Sequence, residues 1–239
     1  MADGGPGASV FSWRGLLLGQ AGRPAIPLPD LAVWPGQALL ALHPDQEILA
    51  ALALLAAGQA EPQGELLWQG RGLPDECDFQ GRLRFARRLA LVGPSSGLLP
   101  NATLFQSMCL DLEYNQGAFP GQAGRLAMGC LEALGLTALA SLDPAGLSGP
   151  DSYAAQAALA ISRRPTLFVL ERPLDLLGPG LLGRVLGAMK EKAASVGAVL
   201  VLGRLAAGYP EGQFDRILSL EAIPSKSWRG NDETSILNG

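Results

Sequence analysis

The chain alternates between two rhythms of apolar residues. Early on, the short runs "GLLLGQ", "PAIPLPDLAVW" and "QALLALH", separated by Pro and Gly, predict strands joined by turns. "DQEILAALALLAAG" then has the chemistry of a helix: Asp45 as N-cap, Gln46 and Glu47 in the first turn, Gly58 as the stop. It is apolar on nearly every side, which predicts a buried helix. "PQGELLWQGRGL" predicts a hairpin, and "LRFARRLALVGP" ends in another strand-like run. Residues 101–140 keep helical spacing, for instance through Ala127, Cys130, Leu131 and Leu134. "LSGPDSYAAQAALAISRRP" predicts a loop and an Ala-rich helix stopped before Pro165. "TLFVLE" predicts a buried strand, residues 181–194 a helix through Leu182, Val185, Leu186 and Met189, and "GAVLVLG" and "DRILSL" two more strands. Strands alternating with helices imply a mostly parallel sheet. Residues 1–9 and the polar tail from about 224 to 239 are expected to be loose.

Composition narrows the function classes. Apolar residues make up 48% of 239 positions, enough for a sizeable core. The net charge of −4 argues against a nucleic-acid binder, whose contacts need a basic excess. Cys77, Cys109 and Cys130 share no C-x-x-C spacing, and His43 is the one histidine, so no Cys/His metal set is expected. No apolar stretch reaches the roughly 18 residues of a membrane span, and the start lacks the basic-then-apolar order of a signal peptide. The expected location is cytoplasmic, with any membrane contact made through a partner. "HPD" around His43 has no Ser or Cys elbow nearby to make a hydrolase.

The order of pieces from about Leu16 to Leu220 resembles the nucleotide-binding domain of ABC transporters. That family shows a strand, a phosphate loop G-x-x-G-x-G-K-S/T-S/T, a helix ending in Gly, a hairpin and a glutamine loop. A helical insert, "LSGGQ", a strand ending in "DEP", an "LD" turn and a strand ending in His follow. Gly36, Gly58, Pro62, Gly64 and Gly70 match its framework, as do "LEALGL", Leu147, Ser148, Gly149 and Pro165. The resemblance implies a P-loop NTPase-like three-layer α/β domain over 1–239. It would have a mostly parallel core sheet, an N-terminal antiparallel β portion and a helical insert at about 100–150. It also implies ATP and Mg²⁺ as cofactors.

The chemistry departs from that pattern. The glycines of the phosphate loop become His43, Gln46 and Ile48, the lysine becomes Leu49, and the hydroxyl residues become Ala50 and Ala51. A phosphate loop works through converging backbone N–H groups, a lysine charge and a hydroxyl on Mg²⁺. The replacement "PDQE" sets Asp45 and Glu47 at a helix start, where each carboxylate gains roughly 0.3–1 kcal/mol from the helix dipole. A polyphosphate 4 Å from such a group meets repulsion of about 4 kcal/mol at an effective dielectric near 20. Glu171 stands at the magnesium-organising position, and Arg172, which cannot accept a proton, at the general base. Arg204 replaces the sensing histidine, Pro94 the loop glutamine and Gly178 the aspartate of the "LD" turn. Arg172 and Arg204 are expected to fill the pocket bordered by Asp45, Glu47 and Glu171 with ion pairs; the alternatives are that they bind a free anion or that they reach to solvent.

The signature remnant "LSGPD" keeps Ser148 and Gly149 but adds Pro150, which has no N–H, and Asp151, which is negative. It reads either as a weakened contributor to a partner's site or as a helix cap. "LLPNATLFQSM" resembles the segment that faces the membrane partner in exporter-type members, so Leu98, Leu99, Leu104, Phe105 and Met108 are either a docking patch or core. Arg82, Arg84, Arg87 and Arg88 form a basic cluster, which is either a solvated rim or a contact for anionic lipid or an acidic partner. The resemblance therefore points to a catalytically silent ABC ATPase-like subunit, without cofactor or metal of its own, working with a partner ABC ATPase domain or a membrane permease. A divergent working ATPase and a scaffold outside transport are the alternatives.

Overall fold

The computed structural model describes residues 8–19, 25–75, 77–163, 165–205, 207–210 and 212–221. The tail expected to be loose lies outside them, as do residues 1–7. Ser9, expected to fray, is buried instead, and its hydroxyl donates to Ser12 Oγ at 3.2 Å.

The described elements run in this order: β1 (Phe11–Leu18), β2 (Ile26–Pro27), β3 (Leu31–Val33), β4 (Ala38–Leu42), α1 (Gln46–Ala56), β5 (Gln63–Trp68), β6 (Arg71–Gly72), α2 (Phe79–Arg88), β7 (Leu89–Val92), α3 (Leu104–Gln116), α4 (Pro120–Leu134), α5 (Gly149–Ser162), β8 (Leu167–Glu171), α6 (Pro179–Ala193), β9 (Ala198–Gly203) and β10 (Arg216–Ser219). Short 3-10 turns occupy Thr137–Leu139, Pro144–Gly146 and Pro173–Asp175. The core sheet has the order β10-β4-β9-β8-β7, with every neighbouring pair parallel. The N-terminal strands make a second, antiparallel sheet in which β1 pairs with β2, β3 and β5, and β5 with β6. This is the three-layer α/β architecture expected from the strand–helix alternation.

The parallel strands were legible as unbroken apolar runs because both their faces are covered. Period-2 alternation sorts those residues between two cores. Ala38, Leu40, Phe168, Leu170, Val199 and Val201 face the core built with α3 to α6. Leu39, Ala41, Leu167, Val169, Leu200 and Leu202 face the one built with α1 and the antiparallel sheet. The core sheet is thus a wall between two hydrophobic compartments, and its strand ends at Leu42, Glu171 and Gly203 lie side by side.

The helix α2 is absent from the sequence reading, which ran its residues into the following strand. Its ten residues hold four arginines, and of them only Gly81 and Phe85 are buried, so little apolar period marks it. The legible signal was its N-cap: the Asp78 carboxylate accepts from the Gly81 N–H at 2.8 Å. Two framework glycines owe their place to the backbone. Gly58 ends α1 at φ +66°, and Gly64 sits at φ +138° where a Cβ would lie 2.6 Å from the Gly15 carbonyl oxygen.

Candidate functional site

The corner between β4 and α1 is a turn of three residues, His43–Asp45. Its hydrogen bonds are internal. The His43 N–H donates to the Gly203 carbonyl at 2.9 Å, and the Asp45 N–H donates to His43 Nδ1 at 3.1 Å. Asp45 Oδ1 accepts from the Glu47 N–H at 2.8 Å, the N-cap bond the sequence anticipates. The Leu49 N–H then donates to the Asp45 carbonyl at 3.3 Å and closes the first helical bond. Glu47 adds its charge in the first turn from an exposed position.

This geometry decides where the phosphate-loop positions fall. Gln46 and Ile48 stand inside α1, and only His43 remains in the turn. Leu49, at the lysine position, is fully buried in the core shared with Leu39, Ala41 and Leu202. Ala50 and Ala51 are half-buried along the helix. A loop that cradles an anion needs several non-helical residues with outward N–H groups and a cation in reach. Three turn residues and a leucine pointing into the core do not fit ATP with Mg²⁺.

The end of β8 carries the second half of the site. Glu171 is completely buried, and its Oε2 accepts from the Ser95 N–H at 2.9 Å. Ser95 belongs to the loop after β7 in which Pro94 stands at the glutamine position. That loop is tied down twice more: Gln156 Oε1 accepts from the Gly93 N–H at 2.9 Å and from Ser96 Oγ at 2.6 Å. Gly93 has φ +154°, and a Cβ there would lie 2.5 Å from Glu171 Cβ, so glycine is required for the loop to approach the strand.

Arg172 follows in the left-handed region, at φ +50° and ψ +50°, a conformation unusual for a residue with a side chain. Its backbone N–H donates to the Leu202 carbonyl at 2.8 Å. Its side chain crosses to the start of α1. Arg172 Nη1 donates to Gln46 Oε1 at 2.9 Å and to Asp175 Oδ2 at 3.3 Å, while Nε lies 3.5 Å from Glu171 Oε1. The guanidinium therefore lies between the two halves of the site. Of the expected carboxylates Arg172 meets Glu171, and it pairs in addition with Asp175, which was not among them. Arg204 departs from the ion-paired filling and follows the solvent-reaching alternative: it is exposed and makes no ion pair among the described residues.

Behind this latch stand two tyrosines, Tyr153 and Tyr209, whose hydroxyls have no hydrogen-bond partner among the described residues. Burial raises the pKa of both. The neighbouring phenol and the Glu171 carboxylate push Tyr153 further the same way, and Asp175 does so for Tyr209. Neither tyrosine drew notice from its sequence context, nor did Gln156, Ser95 or Ser96. Among the described residues no three His, Cys, Asp or Glu side chains form a metal-holding group.

The remaining positions serve helix starts. Ser148 is the N-cap of α5: its Oγ accepts from the Asp151 N–H at 3.3 Å and donates to Asp151 Oδ2 at 2.6 Å. Gly149 opens that helix, and Gly178 is the N-cap residue of α6. Of the expected docking patch, Leu104 and Met108 are core, and Leu98 and Phe105 are partly buried against it. Leu99 is 52% exposed, on the wall of a groove of about 490 Å³ that also includes Leu110, Tyr114 and Leu159. No helix among the described residues is long and apolar enough to cross a membrane.

No family model matches the chain. Among curated proteins it is similar to the thiamine import ATP-binding protein ThiQ of Cereibacter sphaeroides, 29% identical over 178 residues, which are 72% of each chain. The glutamate transport ATP-binding protein GluA of Corynebacterium glutamicum is 26% identical over 79% of this chain and 77% of its own. The intermembrane phospholipid transport ATP-binding protein MlaF of Escherichia coli is 29% identical over 63% of this chain and 56% of its own. Among solved structures, a dimeric bacterial ABC transporter cassette superposes with a TM-score of 0.72 over 88% of this chain and 94% of its own, at 17% identity. CbiO1 of Clostridium perfringens, part of an ABC transporter complex, gives a TM-score of 0.70 over 90% and 85% at 13% identity.

Proposed function

Because the chain is an ABC nucleotide-binding domain in sequence and fold, we propose that it is the catalytically silent member of an ABC transporter, a structural or regulatory subunit that neither grips nor hydrolyses ATP at its own site. The observation that carries this reading is the corner at the start of α1. A three-residue turn has spent its hydrogen bonds on its own side chains, and the residue at the lysine position faces the core. The opposite half agrees: the residue at the general-base position is an arginine bonded to Gln46, and the buried Glu171 is engaged by Ser95. Leu49, Glu171 and Arg172 are thus engaged inside the protein, while Arg204 is exposed without an ion pair among the described residues.

The retained framework has a use even without turnover. A subunit that pairs with an active ATPase domain and holds a membrane subunit must keep its shape. The groove beside α3, with Leu99 and Leu110 exposed on it, is where a membrane subunit would seat apolar residues. The chain then works at the inner face of a membrane through that partner. The cargoes in the relatives' names differ from one to the next, so none is assigned to this chain.

The test is paired. The purified chain releases no phosphate from Mg-ATP above the buffer rate. When co-expressed with the permease and ATPase subunits of a candidate ABC transporter, it remains in the detergent-extracted complex. Phosphate release by the chain alone sinks the silent reading, and recovery with soluble proteins only favours the scaffold reading.

A further inference from the structure

A groove of about 530 Å³ lies between α4 and α6 and shares no residue with the corner at α1. Its walls repeat with the helical turn. Arg125, Gly129 and Ala133 stand on α4, and Arg184, Ala188 and Lys192 on α6, in each case four residues apart and so on one face. The floor is apolar, with Leu134 and Ile161 buried there. Small residues keep the middle open: a Cβ added at Gly129 would meet nothing within 4 Å. A Cβ at Gly135, just past the end of α4, would lie 3.9 Å from Arg184 Nη2, so Arg184 marks one end of the groove. Lys192 marks the other, about 12 Å away along α6. At that end burial pushes the Cys130 thiol up to about 11 and the Lys192 ammonium pulls against it, which sets the amine beside α4. Arg125 precedes Cys130 on the same wall.

Three cations therefore line the groove with one carboxylate, the exposed Glu191, although the chain as a whole has a net charge of −4. Arg125 and Arg184 make no hydrogen bond or ion pair among the described residues. Helix dipoles account for Arg184 beside the C-terminus of α4 and for Lys192 in the last turn of α6. They give no reason for Arg125, in the first half of α4.

We propose that this groove binds a free alkyl carboxylate, a medium-chain fatty acid, with its head between Arg125 and Lys192 and its chain laid over Gly129, Ala188 and Leu134. An apolar trough with two cations at one end complements a molecule that is apolar along its length and anionic at its tip. The width selects against a protein segment. The backbones of α4 and α6 approach within 8 Å of each other, so the trough lies inside a single helix–helix spacing of about 8–10 Å and admits no third helix. The same width keeps out the flat surface of a bilayer. Inorganic phosphate gains nothing from the buried floor of Leu134 and Ile161. The inference goes beyond the silent-subunit reading and is independent of whether the chain handles nucleotide.

The test titrates the full chain with decanoate below its micellar concentration, following the carbon-13 resonance of a labelled carboxylate. Binding should saturate, weaken as salt is raised and be at least about tenfold tighter than that of decanol. Arg125→Gln with Lys192→Gln should remove the preference for the acid over the alcohol, while Arg184→Gln should leave it in place. Gly129→Leu should block both ligands by filling the trough. Arg125, Gly129, Arg184 and Lys192 are all exposed, so circular dichroism and the melting temperature report folding separately and should show no loss in any of these variants. Equal binding of decanoate and decanol by the unaltered chain, or undiminished binding by the Gly129→Leu variant, overturns the proposal. So does binding to phosphatidylglycerol vesicles or to inorganic phosphate without binding of decanoate.

Discussion

Arg172 Nη1 donates to Gln46 Oε1 at 2.9 Å across 126 residues of sequence, joining the strand end that would carry a general base to the helix start that would carry a phosphate loop. The same guanidinium lies 3.5 Å from the fully buried Glu171 and 3.3 Å from Asp175. One side chain thus connects the parts that a nucleotide would otherwise connect.

Arg172→Ala removes that connection and leaves the Glu171 carboxylate buried without its cation. Breaking one partner of a buried pair is costly, and since the arginine side chain keeps 18% exposure the expected loss is about 2 kcal/mol. Urea denaturation should show a lower midpoint with an unchanged m value. Arg204→Ala, at an exposed residue with no ion pair among the described residues, should stay within about 0.5 kcal/mol.

Leu49→Lys restores the charge the family pattern calls for, yet it should not restore function. The side chain at this position is fully buried in the core beneath the sheet. A lysine there must bury its ammonium or displace the helix, so the expected outcome is a loss of at least about 3 kcal/mol and no gain in ATP affinity. Thermal melts with and without Mg-ATP read both quantities. A nucleotide-dependent rise in melting temperature for this variant contradicts the account.

Gly93→Ala should cost more than about 2 kcal/mol, because a Cβ at φ +154° would lie 2.5 Å from Glu171 Cβ. Gly121→Ala, early in α4 with nothing within 4 Å of an added Cβ, should stabilise by about 0.5–1 kcal/mol. Opposite signs from the same chemical change would establish that the loop after β7 is pressed onto Glu171.

The three thiols should separate by reactivity. Cys77 is exposed, whereas burial pushes Cys130 up to about 11, and its Sγ donates to the Ala158 carbonyl at 3.4 Å. At pH 8 iodoacetamide should alkylate Cys77 well ahead of Cys130, read by peptide mass mapping. The sign for stability follows: the folded state holds the Cys130 proton more tightly than the unfolded chain does. Its contribution is complete below the ordinary value of 9.0 and is lost as pH rises toward about 11. Stability rising across that interval contradicts the burial of this thiol.

Much of the fold was legible because the parallel strands β4, β8 and β9 are buried on both faces and appear as unbroken apolar runs. The capping role of Asp45 was legible for a similar reason, since it depends on residues two apart. What escaped was long-range. The contact between Ser95 and Glu171 spans 76 residues and that between Ser96 and Gln156 spans 60, and no local pattern announces either. The resemblance placed Arg204 at a strand end but carried no information on its burial, and the residue, just past the end of β9, is exposed. The segment around Leu104 and Met108 was ambiguous because core and docking faces use the same apolar residues, and tertiary packing put both in the core. Helix α2 was hidden by its own four arginines, which leave only Gly81 and Phe85 buried and so little apolar period.

Calorimetric titration of the full chain with Mg-ATP tests the central claim most directly. The account predicts no saturable heat up to about 1 mM nucleotide, a binding free energy weaker than about −4 kcal/mol. A saturable isotherm in the low micromolar range, removed by deleting Mg²⁺, would contradict it.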